Sequence, residues 1–364
     1  MKKVANFHVV TSNSSSCLNR DDMGMQKSLI FGGVRRAMIS SQCQKYTWRN
    51  SDYYREHLGN PSMRTRELGE LLEFAVEQLK DRFESAIVER AISLISGKGD
   101  IKTDTRGDAV APWAIEEIAY ICEQIQSSEC KGLDDKKLQQ HINKCSQGFR
   151  QAIGQTVDIA LSGRMATDGL MSTSGQFDGA LSVGFAFSTH AANVDVDWFA
   201  ATDDFKELGA GHLDSQEFSA SVYYKHGSIN IPQLQKNLGN ASREEALKIV
   251  AHVLHMMATQ TPSGKQHSFA AYEMAEMAMV SFSDQELSLA NAFETPIREN
   301  GAGLRIPSIN ALNDHHQRVT TKHGLDCRCA EFMVEDLETP DGILVVPSLP
   351  ALEQWIRNDG ANQQ

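Results

Sequence analysis

No stretch of the 364 residues approaches the run of 18 or more apolar residues that a membrane-spanning helix needs. The opening MKKVANFHVVTSNSSSC has two lysines but no long apolar core and no small-residue cleavage site. It does not read as a signal peptide, so a cytoplasmic protein without membrane contact is expected. Cysteines are sparse and odd in number: Cys17, Cys43, Cys122, Cys130, Cys145, Cys327 and Cys329 fit reduced thiols better than a disulfide framework. With 26 glycines and nine prolines, collagen-like and low-complexity classes are excluded. What is present, 41% hydrophobic residues, suffices for a buried core, and the length favours two domains or one domain with insertions.

The common catalytic signatures are also missing. Neither G-x-S-x-G nor G-x-G-x-x-G occurs, and the Gly-Lys of Thr261 to Gln266 (TPSGKQ) lacks the frame of a nucleotide-binding P-loop, leaving at most a phosphate-touching loop. His252 and His255 share a helical face without the carboxylate of H-E-x-x-H, so core or edge histidines are the simpler account. His315, His316, His323, Cys327 and Cys329 offer soft ligands, but the Cys-x-Cys spacing is tighter than structural zinc sites use. No metal and no cofactor are expected.

The net charge of −12 argues against a nucleic-acid partner until its distribution is considered. Residues 1 to 66 hold eleven Lys and Arg against four Asp and Glu, a balance of +7, which leaves −19 for the remainder. A basic face on an acidic body would produce this asymmetry, although local charge excess is more often ordinary solvated surface.

Lys3 to Thr11 reads as a first strand followed by a Ser/Asn-rich loop. From Thr65, apolar residues at spacings of three and four (Leu68, Leu71, Leu72, Ala75, Leu79, Phe83, Ile87) predict helix until Gly97 and Gly99. Further helix is expected after Pro112 and from about Asp134 to Leu161. Strand character returns at Gly179 to His190 and Phe218 to Ile231, separated by an acidic segment, 191–217, that fits neither pattern and reads as a loop. Ser242 and Glu245 have capping-box spacing before another helix; Met277 to Ser283 and Ile343 to Val346 read as strands, and LEQWIRN as a last helix. The class is therefore α+β with an inserted helical block.

The segment Cys17 to Arg49, CLNRDDMGMQKSLIFGGVRRAMISSQCQKYTWR, joins arginines and lysines to glycines, hydroxyls and Gln42, side-chain types that contact a nucleic-acid backbone without reading sequence. It closely resembles the N-terminal region of the CasC family, the backbone subunits of the type I-E CRISPR surveillance complex Cascade, which belong to the repeat-associated (RAMP) superfamily. Other blocks carrying the resemblance are Ala111 to Trp113, Leu133 to Leu138, Val157 to Thr167, Asp197 to Phe199, His212 to Ser219, Asn240 to Leu247 and Phe282 to Glu294.

The resemblance implies a right-hand architecture with an RRM-like (ferredoxin-like) palm, an inserted helical fingers subdomain and an extended β-hairpin thumb. It assigns residues 1–60, 179–190 and 218–364 to the palm, 61–178 to the fingers and 191–217 to the thumb. It further implies a non-catalytic subunit that binds CRISPR RNA, polymerises head to tail in typically six copies into a helical filament, joins other Cascade subunits, and presents the guide to target DNA in antiviral defence. Arg20, Lys27, Ser40, Gln42, Lys45 and Arg49 match RNA-contacting positions. Met165, Phe199 and Leu213 match apolar wedges that displace a nucleotide, and Lys136 and Lys137 match positions facing target DNA.

This chain departs from the family pattern at Tyr46, where a basic residue is expected, and at Arg49, which replaces a lysine. The alternating aromatics of an RNA-binding RRM surface are absent from its strands. The competing function is that of a type III-like backbone subunit, a metal-dependent target-RNA endonuclease in which Asp21 or Asp22 would be the acidic residue.

Overall fold

The structure, a computed structural model, describes residues 1–127, 129–130, 132–165, 168–202, 210–299, 301 and 303–361, with the side chains of 201, 202 and 210–213 outside the description. Its strands are β1 (Val4–Ser16), β2 (Ser28–Phe31), β3 (Val34–Ile39), β4 (Met63–Glu67), β5 (Arg106–Trp113), β6 (Leu181–Val183), β7 (Ala186–Ser188), β8 (Asp195–Thr202), β9 (Ala210–Asn230), β10 (Ala275–Ser283), β11 (Arg328–Met333) and β12 (Ile343–Val345). Its α-helices are α1 (Ser41–Arg49), α2 (Asp52–Leu58), α3 (Leu68–Leu79), α4 (Ser85–Ser96), α5 (Ile115–Gln126), α6 (Asp135–Lys144), α7 (Ser146–Gly154), α8 (Val157–Ser162), α9 (Ile231–Asn237), α10 (Arg243–Thr259), α11 (Gln266–Phe269), α12 (Arg305–His323) and α13 (Leu349–Arg357). The class is α+β, as the sequence implies. Among the described residues, no helix is long and apolar enough to cross a membrane.

The chain divides into two compact units. One contains Met1–Ser51, Val183–Ser228 and Leu247–Gln364; the other contains Asp52–Ser182 and Ile229–Ala246.

In the first unit a mixed sheet runs β12-β11-β10-β1-β9-β7-β3-β2, with β6 and β8 also paired to β9. The stretch β10-β1-β9-β7 has the strand order of a split βαβ fold, in which the first strand lies between the last and the third. Strand β1 pairs antiparallel with β10 from Val4 opposite Ser283 to Val10 opposite Met277. Its alternate side chains point to opposite faces, and both sets are buried. Val10, Tyr224, Met277 and Met279 pack with Ile309 and Leu312 of α12. On the other face, the Lys225 ammonium donates to the Met257 carbonyl of α10 at 3.2 Å, and burial lowers its pKa to about 8. Coverage on both sides explains the nearly continuous apolar central strands and, among the described residues, leaves no open aromatic platform of the RRM kind on them.

Arg36 shows how the basic count changes on folding. Its guanidinium is fully buried and donates to the carbonyls of Phe31 at 3.1 Å, Ser188 at 3.0 Å and Phe293 at 2.7 Å. This arginine therefore stitches strand to loop and is withdrawn from any surface patch. Gly32, beside it, has φ +61°, and a Cβ there would lie 1.7 Å from the Glu294 carbonyl oxygen. Its close approach is to the protein's own backbone rather than to a phosphate.

Three histidines give this unit a pH dependence. The His8 ring stacks on His226 at 5.2 Å, while its Nδ1 lies 2.9 Å from the Tyr224 hydroxyl. His8 Nε2 and both ring nitrogens of His316 have no hydrogen-bond partner among the described residues. Burial lowers the pKa of His316 to about 4 and that of His8 well below the usual value. The unfolded chain therefore binds more protons, and stability falls as pH drops from about 6.5 towards 4. We expect His316 alone to contribute a loss on the order of 3 kcal/mol across that window. A thermal melting series should show the drop, and His316→Leu should flatten it; an equal slope in both proteins would refute the assignment.

The second unit is mainly helical. Leu71, Ala75, Ile92, Ile95, Ile118, Ile121, Leu138, Ile142 and Phe149 meet in its core, and β4 and β5 form a separate two-stranded antiparallel sheet joined through α3 and α4. Several local expectations change here. The pattern from Thr65 resolves into β4, α3 and α4, with a break at 80–84, and 134–161 resolves into α6, α7 and α8. Strand β5 is made by pairing, Met63 standing opposite Trp113, which no local pattern signals. The Ser242 capping box does form: Ser242 N donates to Glu245 Oε2 at 2.7 Å and Glu245 N to Ser242 Oγ at 3.2 Å.

Candidate nucleic-acid interface

Helix α1 organises the basic region. Ser40 is its N-cap, its hydroxyl oxygen accepting from Cys43 N at 3.2 Å, and is only 7% exposed. Gln44 and Trp48, one turn apart, face inward; Gln44 Nε2 donates to the carbonyls of Ile39 at 3.3 Å and Gly184 at 3.0 Å. That anchorage sets the rotation of the helix. Gln42, Lys45, Tyr46 and Arg49, spaced i, i+3, i+4 and i+7, then share the opposite side. Gln42 is exposed, Tyr46 is 63% exposed, and Lys45 and Arg49 are half-buried.

Asn19 ties the preceding segment to this helix. Its Oδ1 accepts from Ser40 N at 2.9 Å and its carbonyl from Lys27 N at 2.8 Å, while the Lys27 carbonyl accepts from Met38 N at 2.9 Å. Arg20 is exposed in a bridge with Gln26. Burial pushes the Cys43 thiol up, and the Lys27 charge pulls it down. Arg20, Lys27, Ser40, Gln42, Lys45 and Arg49 thus belong to one connected region of the first unit.

Two nearby carboxylates have local work. Asp21 Oδ1 accepts from Met23 N at 2.9 Å and Met25 N at 3.0 Å, closing the turn, and Glu217 Oε2 accepts from Gln26 N at 3.1 Å. Among the described residues, no three His, Cys, Asp or Glu side chains are placed to hold a metal ion.

The acidic segment read as a loop contains a β-hairpin. Strand β8 pairs antiparallel with the start of β9 from Asp195 opposite Phe218 to Thr202 opposite Ala210, with a register shift at Ala201/Thr202. Backbone pairing, which a charge-rich sequence does not advertise, makes these strands, and β9 continues from the hairpin into the sheet. Phe199 stands opposite Asp214, and Leu213 opposite Ala200. Because successive strand residues alternate, positions 199 and 213 fall on opposite faces of the hairpin, with Trp198 on the side of 213. The Leu213 side chain lies outside the described residues. Phe199 is 38% exposed, and Lys265 Nζ sits 5.9 Å from its ring centroid.

The remaining expected residues lie in the second unit. Met165 is 91% exposed and follows Arg164, whose guanidinium is fully buried against Glu117 at 2.7 Å and donates to the carbonyls of Gly175 at 3.0 Å and Pro112 at 3.2 Å. The buried arginine fixes the chain so that its neighbour projects outward. Lys136 and Lys137 are exposed in the first turn of α6; Asp134 caps that helix, accepting from Lys137 N at 2.8 Å and pairing with its Nζ at 3.3 Å.

The sequence left the Gly-Lys loop of Lys265 at most a phosphate-touching loop and did not place it in the interface. The structure sets it beside Phe199.

Comparison with known proteins adds to this picture. The family profile for CT1975-like proteins matches residues 5–345. A search of curated proteins found no match. A solved chain from a "CRISPR RNA-guided surveillance complex, pre-nicking" is similar with a TM-score of 0.80 at 23% identity, over 98% of this chain and 100% of the other. A second, from a "CRISPR RNA-guided surveillance complex", has a TM-score of 0.61 at 20% identity over the same shares. At these identities the likeness is one of fold.

Proposed function

The chain belongs to the CT1975-like protein family, and from that premise we propose that it is a CRISPR-RNA-binding backbone subunit of a type I-E surveillance complex. The observation that carries this reading is the single helix face of Gln42, Lys45, Tyr46 and Arg49, tied through Asn19 to Arg20 and Lys27. Cations with hydroxyl and amide donors engage phosphates and leave base edges free, which a guide that must pair with a target requires. Ser40 joins through its hydroxyl proton, its oxygen being held in the cap.

In this reading the subunit does no chemistry. Copies polymerise head to tail along the guide in the cytoplasm, typically six of them, with other subunits of the complex. Interfaces that repeat without closing build a helix. The β8–β9 hairpin acts as the thumb, and Phe199, Leu213 and Met165 are the wedges. Placing 199 and 213 on opposite faces of a two-stranded ribbon suits a wedge, which must displace the bases on both its sides. Lys136 and Lys137 face target DNA.

The test is co-expression with a CRISPR array and the other subunits. Guide RNA should copurify with the chain whatever the spacer sequence, and recovery of complexes without RNA would refute the reading. In the same preparation, changing Lys136 and Lys137 to Ala should weaken target-DNA binding at low salt while leaving the RNA content unchanged.

A further inference from the structure

The loop Thr261 to Gln266 is held in place by its own last residue. Gln266 is buried, and its Nε2 donates to the Pro262 carbonyl at 3.1 Å and the Ala271 carbonyl at 2.7 Å. Gly264 presses the loop onto the chain just before Arg20: a Cβ there would lie 2.7 Å from the Leu18 carbonyl oxygen and 3.0 Å from that of Cys17. Lys265 follows in the left-handed region at φ +55°, where a side chain with a Cβ is uncommon. Its ammonium stands over the Phe199 ring, and among the described residues no carboxylate forms a salt bridge with it. Burial raises the pKa of the nearby Cys17 thiol, with Arg20 and Lys265 opposing the shift and Glu217 and Asp21 adding to it, so cations and carboxylates both surround this loop.

A flexible surface lysine needs none of these restraints. The loop is clamped at Gln266, pressed home at Gly264 and held in an unfavourable backbone conformation at Lys265, and the result is a cation in a set position beside an aromatic ring. A strand of nucleic acid offers the matching pair of groups, an apolar base face and a phosphate one sugar away. Contact with a phosphate is charge-assisted and stronger than the cation's attraction to the ring, and an ammonium has three donors, so it can keep the first while making the second.

We infer that Lys265 is a further phosphate contact of this interface, gripping the backbone of single-stranded RNA beside the nucleotide that meets Phe199. The inference rests on the reading of this face as an RNA-binding surface. It extends that surface from α1 and Arg20 to the base of the hairpin and links gripping the strand to shaping it.

The test is anisotropy of a labelled single-stranded RNA oligonucleotide titrated with the full chain across a salt series. One phosphate contact on a single strand contributes about 0.7 to the slope of log affinity against log salt. Lys265→Ala should therefore reduce the slope by about 0.7 and weaken binding about fivefold at 0.1 M salt, with the two proteins converging near 1 M. Lys265→Arg should restore the slope. Should Lys265→Ala fail to fold, Lys265→Gln keeps the stem that packs on Phe199 and carries the same expectation. An unchanged slope in a folded Lys265→Ala protein that binds RNA would overturn the inference alone. Absence of salt-dependent RNA binding by the unaltered protein would overturn the underlying reading as well.

Discussion

Changing Lys45 and Arg49 together to Glu should abolish recovery of guide RNA with the chain while leaving its circular dichroism and melting temperature close to those of the unaltered protein. Both residues lie on the side of α1 away from Gln44 and Trp48, Arg49 with one guanidinium nitrogen buried, while the helix is anchored by Gln44, Trp48 and the Ser40 cap, which the substitution leaves in place. Losing two phosphate contacts alone costs about 25-fold in affinity at 0.1 M salt, since each contributes about 0.7 to the salt exponent. Charge reversal adds repulsion from every nearby phosphate. RNA recovered at the original level from the folded double variant would remove this helix face from the interface. Tyr46 gives a useful contrast, because its exposed ring carries no charge and Tyr46→Ala should leave the salt slope unchanged.

The largest stability effect is expected inside the second unit. Replacing Glu117 by Ala should destabilise it by about 3–5 kcal/mol, because the Arg164 guanidinium would remain buried without its carboxylate. Both Glu117 oxygens accept from Arg164 Nη1, at 2.7 and 2.8 Å, and Glu117 Oε1 also accepts from the backbone N of Ala114 at the start of α5. One substitution therefore removes an ion pair and a helix-end contact together. Replacing both partners by apolar residues of similar volume, Glu117→Leu with Arg164→Met, should recover much of the loss, since no uncompensated charge stays buried. Denaturant titration separates these outcomes, and a single variant within about 1 kcal/mol of the unaltered protein would contradict the account. The pair also sets the chain at Met165, so the Glu117 variant should change the proteolytic susceptibility of that segment.

Local pattern made part of this protein legible. The Ser242 and Glu245 spacing marks a helix start that forms as expected, whereas the sequence predicts no helix over Ser41–Arg49, where Gln44 and Trp48 turn inward against Gln42, Lys45, Tyr46 and Arg49. Other features were hidden because they are set by partners. Helix α12 buries Asn313 and His316 beside Ile309 and Leu312, so its inward side does not look apolar in the sequence. The count of basic residues in the first 66 positions gave Arg36 the same weight as Lys45, although one is a buried ligand of carbonyls and the other lies on an outward helix face.

Charge distribution, helix periodicity and capping are determined by the sequence itself, because each depends on neighbours within a turn or two of the chain. Only the tertiary structure decides that Phe199 and position 213 lie on opposite sides of a hairpin, that Glu117 closes on Arg164, and that the loop carrying Lys265 lies against Cys17 and Leu18. These depend on strand register and on burial between segments far apart in sequence. A shift of one residue in register, or one lost buried partner, would move those groups without altering any local signal.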